Sequence, residues 1–280
     1  MTFNQMVAVV TGASSGIGYE TSLTLARNGF HTYATMRNLQ KSKSITEIAN
    51  TEKLSLQVVQ LDVTDDGSVK DTINRIVAEK KRIEVLVNNA GYGLFGSLED
   101  MSVEEIKKQF ETNFFGVIRV TKQVLPVMRE QNSGIIVNVS SVGGRIGLPV
   151  LSAYHSTKFA LEGLSESILY EVEPSGIRVV IIEPGVVRTN IMNSSTTAKK
   201  ALDPKSPYFK LMQKVKNHFK SNMENKPSSP EEVAKVILQA VMSEYPKLRY
   251  TVGTDASRII QARTNMPDKE FQQIVKDFSI

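Results

Sequence analysis

Met6-Val7-Ala8-Val9-Val10-Thr11-Gly12-Ala13-Ser14-Ser15-Gly16-Ile17-Gly18 is the stretch that decides how this chain folds. Its first five residues are apolar and Val-rich, which by length and composition is a buried strand. The chain then turns through three glycines. Beyond them Ile17, Thr21 and Leu25 recur at helical spacing until Asn28-Gly29 stops the pattern. Strand, glycine turn, helix is the context of a phosphate-binding loop, because a helix start offers unpaired N–H groups and the positive end of its dipole. Gly12 permits the tight turn, Gly16 lets N–H groups approach a pyrophosphate, and Gly18 lets the helix sit close to the strand. The spacing Gly-x-x-x-Gly-x-Gly departs from the commoner Gly-x-Gly-x-x-Gly.

Outward from this loop, strand and helix patterns alternate. His31 to Thr35 reads as a second strand, Lys41 to Asn50 as a weak helix, and Leu56 to Leu61 as a third strand ending in Asp62-Val63. Asp66 to Glu79 fits a helix, and Val85 to Val87 a fourth strand running into Asn88-Asn89-Ala90-Gly91. A long helical pattern spans Glu99 to Glu130, with Asn113 inside its apolar stripe. Gly134 to Ser140 is a fifth strand, Ala153 to Val172 a helix, and Arg178 to Ile182 a sixth strand before Pro184-Gly185. Such alternation predicts an α/β fold with a parallel sheet wrapped by helices on both faces. Arg37 follows the second strand, whose end faces the adenine ribose in a dinucleotide fold. An acid there accepts the 2′-hydroxyl, whereas an Arg pairs a 2′-phosphate. With Arg37 and no acid, NADP is expected over NAD.

The chemistry is expected at Tyr154 and Lys158, four apart and so on one helix face. A cation beside a phenol favours the phenolate and lowers its pKa, which suits general acid–base work. The fifth strand delivers Ser140-Ser141 to the carboxyl edge of the sheet, where open α/β folds bind ligands.

The chain has 280 residues, 41% hydrophobic and 22% charged, an ordinary balance for one globular domain. It has no cysteine, which excludes disulfides, zinc–thiolate sites and thiol nucleophiles, and no metal site is expected. The formal charge of +5 comes without a basic stripe interleaved with aromatics, so nucleic acid is not expected as a partner. No apolar run is long enough to span a membrane. The first strand starts too early to leave room for a signal peptide, and a cytoplasmic location is expected.

With these residues in place, the chain resembles the short-chain dehydrogenase/reductase family in its ordinary-length form. The match rests on Thr11 to Gly18, Asn88 to Gly91, Asn113, Ser141, Tyr154 with Lys158, and Pro184-Gly185 with Thr189, all in family order. The resemblance implies a Rossmann-type seven-stranded sheet in order 3-2-1-4-5-6-7 and one nicotinamide cofactor. It implies Tyr154 as proton donor or acceptor, and Lys158 as the residue that lowers its pKa and holds the nicotinamide ribose. Ser141 would bond the substrate carbonyl oxygen and Asn113 would position a water. For the cofactor it implies Gly12, Ser14, Ser15, Gly16, Ile17 and Gly18 at the phosphates, Arg37 at the ribose, and Asp62 and Val63 at adenine. Asn89, Ala90, Gly91, Pro184, Gly185, Val187 and Thr189 would line the rest. The family pairs through the helices at 103–131 and 152–174, so a homodimer or homotetramer is expected.

One domain over 1–280 suffices, with a substrate lid at 190–228 and a helical extension at 254–280. In the lid, Tyr208, Met212, Val215, Phe219 and Met223 recur at helical spacing, with Lys210, Lys214 and Lys220 turned away. A wall of Phe209, Leu211, Met212 and Phe219 suits a hydrophobic, steroid-, retinoid- or lipid-like alcohol or ketone. The lysines suit instead an anionic acyl thioester. A non-catalytic nicotinamide sensor is a third reading. Pro230 to Ser243 reads as a helix, Arg249 to Val252 as a seventh strand, and Asp255 to Phe278 as two helices around Pro267.

Overall fold

The structure, a computed structural model, describes residues 6–188, 195–224 and 227–279. Its strands are β1 (Val7–Val10), β2 (His31–Met36), β3 (Leu56–Gln60), β4 (Val85–Asn88), β5 (Leu94–Phe95), β6 (Gly134–Val139), β7 (Ile177–Pro184), β8 (Thr196–Thr197) and β9 (Arg249–Val252). Seven of them form one parallel sheet in the order β3-β2-β1-β4-β6-β7-β9. Counted along the sheet alone, this is the expected 3-2-1-4-5-6-7 of a doubly wound, Rossmann-type fold. The order reverses between β1 and β4, the switch point at whose carboxyl ends open α/β sheets bind ligands.

The pleat sends alternate residues to opposite faces. Val7 and Val9 pack on one side with Val69, Ile73 and Ile76 of helix α3 (Asp66–Lys80) and with Val120 and Val124 of α5 (Gly116–Glu130). Ala8 and Val10 pack on the other with Leu25 of α1 (Gly16–Arg27) and with Val233 and Ile237 of α8 (Pro230–Met242). The strands are therefore apolar on both faces, the signature of a covered parallel sheet. Helix α2 (Lys43–Thr51) flanks the β2–β3 edge.

Two departures from the sequence reading matter. The long helical pattern begins at Val103, four residues later than expected, because Ser102 and Glu105 form a reciprocal capping box. It then runs as α4 (Val103–Phe110), a π-helical turn over Glu111–Phe115, and α5. Asn113 sits in that π turn. A second, two-stranded parallel ladder joins Leu94 to Thr196 and Phe95 to Thr197, outside the main sheet. Helix α6 (Ser152–Val172) carries the Tyr-Lys pair. The lid holds α7 (Phe209–Glu224), and the chain closes with α9 (Thr254–Asn265) and α10 (Asp268–Ser279), the latter packed against α7.

Candidate active site

The glycine loop is held by backbone contact. Gly12 has φ +69°, and a Cβ there would stand 2.8 Å from the Ala90 Cα. A Cβ on Gly18 would stand 2.4 Å from Asn89 Nδ2 and 2.6 Å from the Gly12 carbonyl, so only glycine fits. Asn89 explains the crowding: its amide donates to the carbonyls of Thr11 (2.9 Å) and Gly12 (3.2 Å). In return Thr11 Oγ1 accepts from the N–H groups of Asn89 and Ala90. Thr11 is thus a strut that motif reading passed over as part of the loop. Ser14, Gly16 and Ile17 line the half-buried entry to α1. Ser15 is its N-cap but makes no side-chain cap bond, and the first turn carries no acid. The helix start is therefore open to an anion.

Arg37 stands exposed just past β2 and forms no ion pair among the described residues. Burial pushes the Tyr92 phenol up, and the Arg37 charge offsets part of that rise. Asp62 closes a local turn, its Oδ1 accepting from Thr64 N (3.0 Å) and Thr64 Oγ1 (2.8 Å), while Val63 is buried against Gly116. Gly91 lies against Asn113, since a Cβ there would be 3.2 Å from Asn113 Oδ1. Asn113 is buried and its side chain fully engaged. Its Nδ2 donates to the Tyr92 carbonyl (2.9 Å) and to Thr157 Oγ1 (3.2 Å), and its Oδ1 accepts from Tyr92 N (3.0 Å). Asp255, at the start of α9, binds Val186 N at 2.7 Å and fixes the loop of Gly185 and Val187 after Pro184. Sequence reading missed Asp255, which lies 69 positions from its partner. Thr189 lies outside the described residues.

Ser141, Tyr154 and Lys158 meet where β6 ends and α6 begins. The Ser141 hydroxyl accepts from Gly143 N at 3.0 Å and bonds Tyr154. Lys158 is buried, 5.8 Å from the Tyr154 ring centroid, and its Nζ donates to the Val139 carbonyl at 2.8 Å. The expectation that Lys158 lowers the Tyr154 pKa is corrected here. Burial pushes the phenol up, and it is Ser141 that draws it back. Burial also lowers the Lys158 ammonium to about 8, with Glu162 pulling it up. The reason is direction and depth: the ammonium is spent on a backbone carbonyl, and desolvation disfavours the charged form of both groups.

Tyr154 also packs against an apolar cluster of Leu94, Phe95, Met101, Leu151, Met212 and Val215, with Leu211 and Phe219 at its edge. Three of the four expected wall residues are thus together, whereas Phe209 is half-buried outside the cluster. Lys210, Lys214 and Lys220 face outward as expected, and nothing is described for the Met223 side chain. Lys216 behaves differently. It is half-buried, lies 5.8 Å from the Phe95 ring centroid and donates to Thr197 Oγ1 at 2.7 Å. Among the described residues no group of acidic and histidine side chains could hold a metal, and no helix is long and apolar enough to cross a membrane.

Known proteins resemble this chain in sequence and fold. The short chain dehydrogenase family pattern matches residues 6–200. An uncharacterized oxidoreductase of Bacillus subtilis is 38% identical over 98% of both chains. Bovine retinol dehydrogenase 8 is 37% identical, covering 92% of this chain and 85% of its own. Among solved structures, a short-chain dehydrogenase of Streptomyces avermitilis superposes with a TM-score of 0.83, 31% identity and 97% coverage of both chains. An alcohol dehydrogenase of the archaeon Thermococcus sibiricus, complexed with 5-hydroxy-NADP, gives a TM-score of 0.73 at 25% identity, covering 88% of this chain and 95% of its own.

Proposed function

The chain belongs to the short-chain dehydrogenase family and is an oxidoreductase with a nicotinamide cofactor, and from that premise we propose that it interconverts a carbonyl and an alcohol on a hydrophobic, steroid-, retinoid- or lipid-like substrate, preferring NADP(H). One observation carries this reading: Tyr154 borders both the Ser141–Lys158 polar group and the apolar cluster under the lid. A group reaching the Tyr154 hydroxyl must pass apolar walls and meets two hydroxyl donors at the end.

The bound cofactor supplies the hydride. The protein's part is to hold and to protonate. The glycine loop at Gly12 to Gly18 takes the pyrophosphate on its open N–H groups, and unpaired Arg37 meets a 2′-phosphate. Asp62 and Val63 are assigned to adenine, Asn89 to Gly91 and Pro184 to Val187 to the middle of the crevice, and Thr189 to the nicotinamide end. Ser141 and Tyr154 donate to the substrate oxygen as charge builds on it. Tyr154 gives its proton, and Lys158 holds the ribose. Because the Asn113 amide is committed to Tyr92 and Thr157, any water it holds is held by its main chain. Burial keeps the phenol protonated, which supports carbonyl reduction at neutral pH.

Residues 190–228 act as the lid, steadied by α10 against α7. Exposed Val103, Phe115, Phe159 and Tyr170 on α4 to α6 support pairing of two copies there. A second reading, an anionic acyl thioester substrate, is favoured by Lys216, a cation drawn into the apolar wall.

Tyr154→Phe tests the reading. NADPH oxidation with long-chain and cyclic apolar carbonyls should fall about 10²–10⁴-fold in kcat with NADPH binding intact. Full activity in that variant refutes the role of Tyr154. Turnover of thioesters alone removes the apolar substrate class.

A further inference from the structure

Glu162 has no part in the roles above, yet it is only 5% exposed. It follows Lys158 by four positions on α6, so the two leave one face of the helix a turn apart. Its Oε2 accepts from Arg249 Nε, on β9, at 3.0 Å. Its carboxylate also takes a hydrogen bond from the buried Ser140 hydroxyl. Both groups crowd Gly144, where a Cβ would stand 2.8 Å from Ser140 Oγ and 3.1 Å from Glu162 Oε1. Burial pushes the Glu162 carboxyl up, and Ser140 and Arg249 draw it back toward its charged form. A carboxylate at such depth is costly unless it is hydrogen-bonded and answers a nearby charge.

The charges around it identify that partner. Arg145, in the turn after β6, pairs with Glu183 of β7 at 2.9 Å. Arg249 pairs with Glu162, with Glu166 on the same helix, and with Glu183 at 3.3 Å. Three carboxylates therefore face two guanidinium groups. The remaining cation is Lys158, which has no carboxylate within ion-pair distance among the described residues but feels Glu162. With all three carboxylates charged, the cluster is neutral only with Lys158 protonated. His155, the other titratable group nearby, bonds the Gly143 carbonyl, and burial disfavours its charged form.

We infer that Glu162 is a positioning residue for the proposed reaction: anchored by Arg249, it keeps Lys158 in its charged form behind Tyr154. The inference rests on the reading of Tyr154 and Lys158 as the reactive pair. Its chemical content is a sign. A carboxylate within a few ångströms shifts an ammonium by about one unit or more.

The test compares Glu162→Gln, Glu162→Asp and Arg249→Gln with the native chain. Two readouts are taken: the pH profile of kcat/KM for carbonyl reduction, and the pH midpoint of NADPH binding followed by cofactor fluorescence. In Glu162→Gln the loss of rate and binding at high pH should begin about one pH unit lower, because Lys158 loses its proton sooner. Glu162→Asp, which keeps the charge, should stay near the native profile. Arg249→Gln cuts the same network but removes a cation, so both readouts should move to higher pH. Shifts in one direction for both Gln variants, or lower rates with unmoved midpoints, overturn the inference and leave Glu162 a structural residue. If the native chain reduces no carbonyl while the binding midpoints move in opposite directions, the proposed activity fails and the coupling of Glu162 to Lys158 stands. Should Glu162→Gln not fold, the Asp and Arg249 variants carry the same comparison.

Discussion

The two ends of the crevice are held by different means. At the glycine loop, backbone meets backbone and one anchored amide: Gly12, Gly18, Ala90 and the Asn89 side chain touch at distances that exclude a further Cβ. At the lid, side chains meet side chains: Phe219 lies edge-on to Phe95 at 5.9 Å, Lys216 covers the same ring, and Ser206 reaches buried Asp100 at 2.7 Å. The first arrangement tolerates almost no change of shape, because backbone cannot step aside. The second can repack, because neighbouring rotamers adjust. The difference suits a fixed cofactor at one end and an adaptable substrate at the other.

If this contrast is right, substitutions should act on one ligand and spare the other. Gly18→Val is the most severe, since its Cβ would collide with Asn89 Nδ2 and the Gly12 carbonyl. NADPH affinity by fluorescence titration should fall about 100-fold, the upper end of an overpacking cost. Arg37→Gln comes next, with NADPH weakened about 10–100-fold, the worth of a charge-assisted bond, and NADH changed little. Equal loss of both cofactors would break the assignment of Arg37 to a phosphate.

The lid substitutions should be milder. Ser206→Ala takes away the hydroxyl that bonds buried Asp100, and denaturant unfolding should show a loss of about 1–3 kcal/mol with NADPH affinity intact. Phe219→Ala should raise KM for apolar carbonyls about 3–10-fold and leave NADPH binding alone, since its loss thins one wall of the pocket without touching the glycine loop. A lid substitution that weakens NADPH as much as Gly18→Val would erase the division between the two ends.

The same division explains what the sequence could reveal. The cofactor end is written mostly locally: strand, glycines and helix stand within about twenty residues, and Gly12 and Gly16 take a positive φ, although Gly18 is also demanded by the distant Asn89. Alternation and right-handed crossovers gave the covered parallel sheet, whereas the strand order came from the family resemblance. Tyr154 and Lys158 were legible because a helix fixes their spacing. What stayed hidden depends on distant partners. The ladder of Phe95 with Thr197 and the bond of Asp100 to Ser206 join positions about a hundred residues apart. The π turn at Glu111–Phe115 leaves an apolar stripe that looks like any helix. The direction of the Tyr154 shift was misread for a related reason: spacing shows that two groups are neighbours, whereas burial decides which of their charged forms survives.

The most direct test of the central claim is the pH dependence of carbonyl reduction by the native chain, followed by NADPH oxidation under kcat/KM conditions. Lys158, lowered to about 8 by burial, must be charged, and Tyr154, raised by burial, must carry its proton. The rate should therefore hold through neutral pH and fall as pH rises through about 8. A rate that climbs with pH across that range would contradict the account, because it would require the reactive group to act as a base that burial here disfavours.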